Sequence, residues 1–202
     1  MTRLQPPKTK IEIIPPDLLL YAYCNAIFPM AESRGGPLFW YSPDPRAILP
    51  LEGMKISRSL RQVLKKKMFD VRLDTAFQSV IRACANRKDT WISEQIVQSY
   101  LELHRLGYAH SVESWKDSKL VGGLYGVAIG AAFFGESMFH TEKEASKVAL
   151  VFLVERLFEK GFELLDTQFI TPHLAQLGAI EISKDNYVER LKQAIKKKRS
   201  FI

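Results

Sequence analysis

A mixed α/β fold, with one largely antiparallel sheet flanked by helices, is what this sequence predicts, and three observations carry the prediction. AHSVESW, LVGGLYGVAIG and AAFFGESMF have strand character and follow one another between Ala109 and Phe139. Their links are so short that neighbours must pair antiparallel. An apolar segment, Lys143 to Lys160, comes directly after them and is followed by another strand-like run, FELLDTQFI. Amphipathic segments of helical period lie before and after this block, so helices are available to cover the sheet.

The elements follow in order. Pro15-Pro16 opens a short helix over LLLYAYCNA, with Asp17 as the expected cap. Loops rich in Pro and Gly then run through Arg34-Gly35-Gly36-Pro37, and LFWYSPDPRAIL ends strand-like. SRSLRQVLKKK reads as a basic amphipathic helix with Leu60, Val63 and Leu64 on its apolar side, and FDVRL as a short strand. Asp74 is expected to cap the next helix, where Phe77, Val80, Ile81 and Cys84 recur at helical spacing. Ser93 caps another, with Gly107 as its stop. That stripe contains His104, read as a core-edge histidine.

Lys116-Asp117-Ser118-Lys119 and Ile129-Gly130 make the two hairpin turns. Thr141 with Glu144 fits a capping box for the Lys143–Lys160 segment, and Gly161 fits its stop. That segment is apolar enough to pass for a strand, but length and caps favour a buried helix. AIEI is a possible last strand. Tyr187, Val188, Leu191, Ala194 and Ile195 define a terminal amphipathic helix. The chain divides into a small N-terminal subdomain, residues 1–43, and a main domain, residues 44–202.

Composition narrows the class. The 202 residues carry a net charge of +7, unevenly spread. Lys55, Arg58, Arg61, Lys65, Lys66, Lys67 and Arg72 form a basic block opposed by Asp70 alone, and Lys196 to Arg199 form a second. Such patches suit phosphate backbones or acidic surfaces, although a lysine-rich run is also an ordinary solvated face. Cys24 and Cys84 sit among apolar neighbours and read as free, buried thiols of a reducing compartment. His104, His110, His140 and His173 form no zinc pattern, so no metal is expected. The N-terminus lacks an apolar signal core, and Leu18 to Phe28 is too short to span a membrane. A soluble, cytoplasmic monomer with no membrane contact is the expectation.

One residue stands out chemically. Glu136 is a lone carboxylate, beside Gly135, inside an otherwise apolar segment. A charge there is costly unless paired, which points either to a functional carboxylate or to a structural ion pair with a buried Lys or Arg. Near it in the chain are glycines that allow close approach and aromatics able to wall a pocket.

The order of elements resembles the acetyltransferase-like (GNAT) architecture. The glycine loop with which that superfamily cradles a pyrophosphate is missing, since the start of the central helix reads HTEKEASK. WYSPDPRAIL, TWI, AHSVESW, LVGGLYGV, FFGESMF followed by ASK, and LLDTQ, in that order, resemble a narrower family, the leucyl/phenylalanyl-tRNA–protein transferases. The resemblance runs from about Leu18 to Tyr187. It implies transfer of leucine or phenylalanine from a charged tRNA to the N-terminal amine of proteins beginning with Arg or Lys, a step that marks them for degradation (the N-end rule). It implies no cofactor, because the aminoacyl ester is already activated.

The same resemblance implies residue roles. Asp166 and Gln168 match the catalytic pair. Two apart on a strand, their side chains share one face. Asp166 would orient Gln168 or accept the amine's proton, and Glu136 would lie near a charged α-amino group. Phe133, Leu124, Leu150, Leu157 and Leu165 would build the pocket for the amino-acid side chain, while Trp91 and Tyr100 would stand near the 3′ nucleotide. Lys55, Arg58, Arg61, Lys65, Lys66, Lys67 and Arg82, with Arg87 and Lys88, would track the acceptor stem. The sequence also departs from the family's pattern. The family's GIFPW reads AIFPM, so that Ala26 replaces a glycine and Met30 replaces a tryptophan lining the adenosine site. The front end is also shorter than is usual in the family. Rival readings on the same scaffold are a coenzyme A-dependent N-acetyltransferase and a non-catalytic tRNA-binding module.

Overall fold

The computed structural model describes residues 12–202. Its centre is a seven-stranded sheet. In chain order the elements are α1 (Pro16–Cys24), β1 (Phe28–Ala31), β2 (Leu38–Tyr41), β3 (Arg46–Ile48), α2 (Arg58–Lys65), β4 (Asp70–Leu73), α3 (Phe77–Ala85) and α4 (Glu94–Arg105). The hairpin strands β5 (Ala109–Lys116), β6 (Lys119–Ile129) and β7 (Ala132–His140) follow, then α5 (Ala145–Glu159), β8 (Leu164–Gln168), α6 (Pro172–Gln176), β9 (Ile180–Ile182) and α7 (Lys184–Ala194). The sheet order is β4-β5-β6-β7-β8-β3-β9, and β1 pairs with β2 in a separate ribbon. Only β7 and β8 run parallel, joined by the α5 crossover. This is the mixed, mostly antiparallel, helix-flanked sheet expected from the sequence. Among the described residues no helix is long and apolar enough to cross a membrane.

Strand alternation sends neighbouring side chains into two separate cores. Tyr125, Phe134 and Leu164 join the cluster under α1, α3, α4 and α7. Leu124, Phe133 and Leu165 join the cluster under α2 and α5. Gly122 lets the start of α5 come close: a Cβ there would stand 2.6 Å from that of Ala145. The N-terminal residues share the first core, to which Leu19, Tyr23 and Phe28 contribute.

Three expected caps do not form, and two of the residues make longer-range bonds instead. Asp17 lies within the first turn of α1, whose N-cap is Pro15. Asp74 does not cap α3. It adopts φ 55° and accepts from the Ser111 amide at 2.7 Å, with His110 Nδ1 at 2.7 Å from its other oxygen. Glu144 takes the N-cap position of α5 at φ 69° without a side-chain capping bond, and Thr141 turns to the Val121 carbonyl, so the expected capping box does not form. For Asp74 and Thr141 local propensity loses to a tertiary partner the sequence pattern does not reveal, whereas Asp17 stands in the first turn because the helix starts earlier, at Pro16. The Ser57 and Ser93 caps form as expected. His104 stacks on Phe77 at the core edge, and Cys24 is only half-buried, unlike Cys84.

Ala26 sits at φ 63°, in the left-handed region that favours glycine, where the chain turns from α1 into β1. An L-residue with a Cβ costs roughly 1–2 kcal/mol there. Ala26→Gly should therefore raise the unfolding free energy by about 0.5–1 kcal/mol after the entropy of the added glycine is subtracted. Urea denaturation measures this; an unchanged or lowered midpoint would show that the turn is unstrained.

Candidate active site

Two β-bulges and a splayed strand pair make the site. In the β6–β7 pairing Tyr125 faces Ser137 and Gly126 faces Gly135, so Glu136 is the extra residue. The bulge shifts the alternation by one: Phe133 and Phe134 point into the second and first cores, whereas beyond it Met138 packs on the second and Phe139 on the first. In the β3–β8 pairing Ala47 faces Gln168 and Ile48 faces Asp166, leaving Thr167 as the extra residue. Bulges of this kind re-aim side chains. The parallel β7–β8 pairing ends at Phe134–Asp166, although both strands continue. Ligands in α/β sheets commonly enter at the carboxyl ends of parallel strands, and a cavity opens there.

That cavity measures about 310 Å³. Leu124, Leu150, Leu153 and Leu165 form an apolar end, while Glu136, Ser137, Thr167 and Gln168 supply polar groups. Trp91, Met30 and Phe169 also line it. Of the pocket residues expected from the sequence, Trp91, Leu124, Leu150, Leu165 and Met30 are on its wall. Phe133 and Leu157 are not: both are fully buried in the second core. Tyr100 does not line the cavity either and instead reaches Glu136 from behind.

Glu136 is buried and meets no Lys or Arg in an ion pair among the described residues. Tyr23 donates to its Oε1 at 2.6 Å, Gln168 Nε2 donates to the same oxygen at 2.9 Å, and the Tyr100 hydroxyl lies 3.3 Å from Oε2. Tyr23 and Tyr100 are hydrogen-bonded to each other. Burial pushes the Glu136 pKa up to about 7. Hydrogen bonds from Tyr23, Gln168 and Tyr100 oppose that rise, while the Asp166 charge adds to it. Neutral donors satisfy a carboxylate's geometry without supplying the positive charge that burial calls for.

The positive charge goes to Asp166 instead. Arg46 Nε and Nη2 grip its two oxygens at 2.9 and 2.5 Å. Tyr187 donates to Oδ2 at 2.8 Å, and the Gln168 amide to Oδ1 at 2.8 Å. Arg46 itself lies between the rings of Phe28 and Tyr187, 4.6 Å from each centroid. Burial works against its charge, but the Asp166 carboxylate more than offsets this and holds the guanidinium above its ordinary pKa. Asp166 is fully buried and is not on the cavity wall. Simple alternation would have put Asp166 and Gln168 side by side. The Thr167 bulge, with Gln168 at φ 64°, turns the first toward Arg46 and the second toward Glu136.

Arg46, Tyr23 and Tyr187, and on the cavity wall Ser137, Leu153, Thr167 and Phe169, are site members that sequence reasoning missed. Arg46 carried the same signal as Glu136, a charge against an apolar run (RAIL), whereas Tyr187 falls on an amphipathic helix stripe and Tyr23 lies in a short apolar helix where nothing marks it. On the basic face, Lys55, Arg58, Arg61, Lys65, Lys66 and Lys67 are exposed, and none is ion-paired among the described residues. Arg82 differs: it makes a two-pronged pair with Glu94 at 2.9 and 3.0 Å.

An apolar slot ending in a hydrogen-bonded carboxylate and a carboxamide has the shape and polarity to receive a small apolar group. Comparison with known proteins narrows the class. Residues 48–192 match the model for leucyl/phenylalanyl-tRNA protein transferase, and residues 13–44 match that for its N-terminal domain. The chain belongs to the leucyl/phenylalanyl-tRNA–protein transferase family. Similar relatives of that name come from Gloeobacter violaceus and Paramagnetospirillum magneticum. The first is 54% identical over 89% of this chain and 93% of its own length, the second 56% identical over 89% and 88%. Among solved structures, a GCN5-related N-acetyltransferase-like protein from Streptococcus suis aligns with 83% of this chain and 64% of its own, at TM-score 0.35 and 11% identity.

Two outcomes are expected. Arg46→Met strands a buried carboxylate and should lower the unfolding free energy by roughly 3–5 kcal/mol, while Tyr187→Phe costs about 1–2 kcal/mol. Equal, small losses would show that Asp166 does not depend on Arg46. Second, the Glu136 pKa is raised on folding, from an ordinary 4.5 to about 7. The folded state therefore holds the extra proton in between, and stability falls as pH rises through that window, by up to about 3 kcal/mol. Glu136→Gln removes this slope, which urea midpoints between pH 4.5 and 7.5 will resolve; a wild type whose pH profile matches the variant's contradicts it.

Proposed function

We propose that the protein transfers leucine or phenylalanine from the 3′ end of aminoacyl-tRNA to the N-terminal amine of proteins beginning with Arg or Lys. The single observation that carries this reading is the cavity: apolar at one end, with Glu136 and Gln168 at the other. The apolar end takes the esterified side chain. Such a pocket separates Leu from Phe poorly, since a methylene or two is worth only about 1–3 kcal/mol. The exposed basic helix α2 supports the tRNA half of the reading through phosphate contacts that read shape rather than sequence.

The chemistry asks little of a base. An amine attacks the ester carbonyl, forms a tetrahedral oxyanion, and expels a ribose hydroxyl. An N-terminal amine has a pKa of about 7.7–8.0, so a substantial part is already neutral near pH 7. Orientation then supplies most of the acceleration. Glu136, poised at about 7 and facing the cavity, is suited to hold an α-ammonium group or to take its proton on attack. Asp166, with four donors already on its two oxygens, is a positioning residue that fixes Gln168 through the backbone amide.

The direct test mixes the protein with tRNA charged with radioactive leucine or phenylalanine and a peptide beginning with Arg. Label should pass to the peptide; none passing with either charged tRNA refutes the reading. Glu136→Gln should lower kcat/KM by roughly 10²-fold or more and flatten its rise with pH near 7. A variant that keeps the wild-type pH profile assigns that titration to the amine alone.

A further inference from the structure

A second cavity, of about 580 Å³, adjoins the first and shares Arg87, Met138 and His173 with it. Leu120, Met138 and Phe139 give it an apolar floor. Asn86, Arg87, His140, Ser146 and His173 give it a polar rim, and no carboxylate lines it. Arg87 donates to the Met138 carbonyl, a neutral group, and is in no ion pair among the described residues. His140 Nδ1 and Ser146 Oγ lie 3.3 Å apart. The acidic residues of the neighbouring turn are already engaged, Glu142 with Lys116 at 2.8 Å and Glu144 with Lys147 at 2.9 Å. The cavity therefore presents unneutralised positive charge over an apolar base.

Two parts of the reaction need room beyond the first cavity. One is the polynucleotide that leads into the terminal adenosine; the other is the acceptor polypeptide. Charge decides between them. The acceptor arrives with a cationic side chain and an amine, which an arginine-bearing wall without carboxylates repels. A nucleotide brings one negative charge on its phosphodiester and a base with two apolar faces. We propose that the second cavity seats the nucleotide preceding the terminal adenosine of the donor. Its base lies on Leu120, Met138 and Phe139, and its phosphodiester faces Arg87, with Asn86 and His140 as further hydrogen-bonding groups. This inference rests on the aminoacyl-tRNA reading above, and it assigns a ligand to a cavity outside the aminoacyl slot.

The test separates the two readings because its first half needs no transfer. Calorimetry follows the uncharged trinucleotide CCA and, separately, adenosine binding to the wild type and to the double variant Asn86→Asp/His140→Glu. Both substituted positions are exposed and line only the second cavity. The wild type should bind CCA at least about tenfold more tightly than adenosine. The variant should lose that excess while its adenosine affinity stays within about twofold, and the log–log salt slope for CCA should fall by roughly 0.7 for each phosphate no longer neutralised. A wild type that binds CCA no better than adenosine, or a variant that keeps the excess, overturns the proposal. In the transfer assay the variant should show a raised KM for charged tRNA with kcat little changed. A raised KM for the acceptor peptide instead would give the cavity to the acceptor and overturn the assignment. Wild-type CCA binding with no transfer at all would count against the proposed function and leave the nucleotide seat standing.

Discussion

One buried guanidinium decides the character of this site. Arg46 is closed in by Phe28 and Tyr187 and commits its charge to Asp166, leaving Glu136 to neutral donors. The two carboxylates thereby stand in different surroundings. Asp166 lies off the cavity wall and accepts from the backbone amide of Gln168. Glu136 faces the cavity with its pKa raised by burial to about 7, which suits the proton or ammonium exchange proposed for it. Such ion pairs rarely add net stability over a well-packed apolar core, so the observation explains specificity of arrangement better than it explains stability.

Bulges convert this pairing into a site. Without the extra residue in β7, alternation would carry the side chains beyond Gly135 to the opposite faces. Without the one in β8, Gln168 would follow Asp166 toward Arg46. Both bulges stand where β7 and β8 stop pairing, so the same local disruption that opens the cavity also aims its polar groups. Tyr23 on α1 and Tyr100 on α4 close the network from behind. The N-terminal helix is in this way part of the site's support, and its side chains share a core with the sheet.

Much of this was legible in the chain. The three hairpin strands, the buried α5 and the strand after it follow from period, length and link size, and the ordered motifs point to the family. Glu136 declared itself as a charge in an apolar run. Register is what the sequence hides: a bulge depends on the partner strand as much as on the bulged one, so neither Glu136 nor Thr167 shows in its own segment that it will be the extra residue. The same holds for Asp74, whose local preference for a helix cap yields to Ser111 and His110 from a strand more than thirty residues away. Phe133 and Leu157 read as pocket residues by resemblance yet lie in the second core, because a cavity wall and the layer behind it are equally apolar. Tyr23 and Tyr187 were invisible for the complementary reason: their rings are core, and only their hydroxyls belong to the polar network.

The division of labour between the two carboxylates turns on the protonation of Glu136. Carbon-13 NMR of protein labelled at the glutamate side-chain carboxyl, with Glu136 assigned through the Glu136→Gln variant, follows it directly. The expected titration midpoint is near 7, as burial without a cationic partner requires. A midpoint near the ordinary value of 4.5 would mean that Glu136 is charged and stabilised at neutral pH, and the assignment of separate tasks to Asp166 and Glu136 would be wrong.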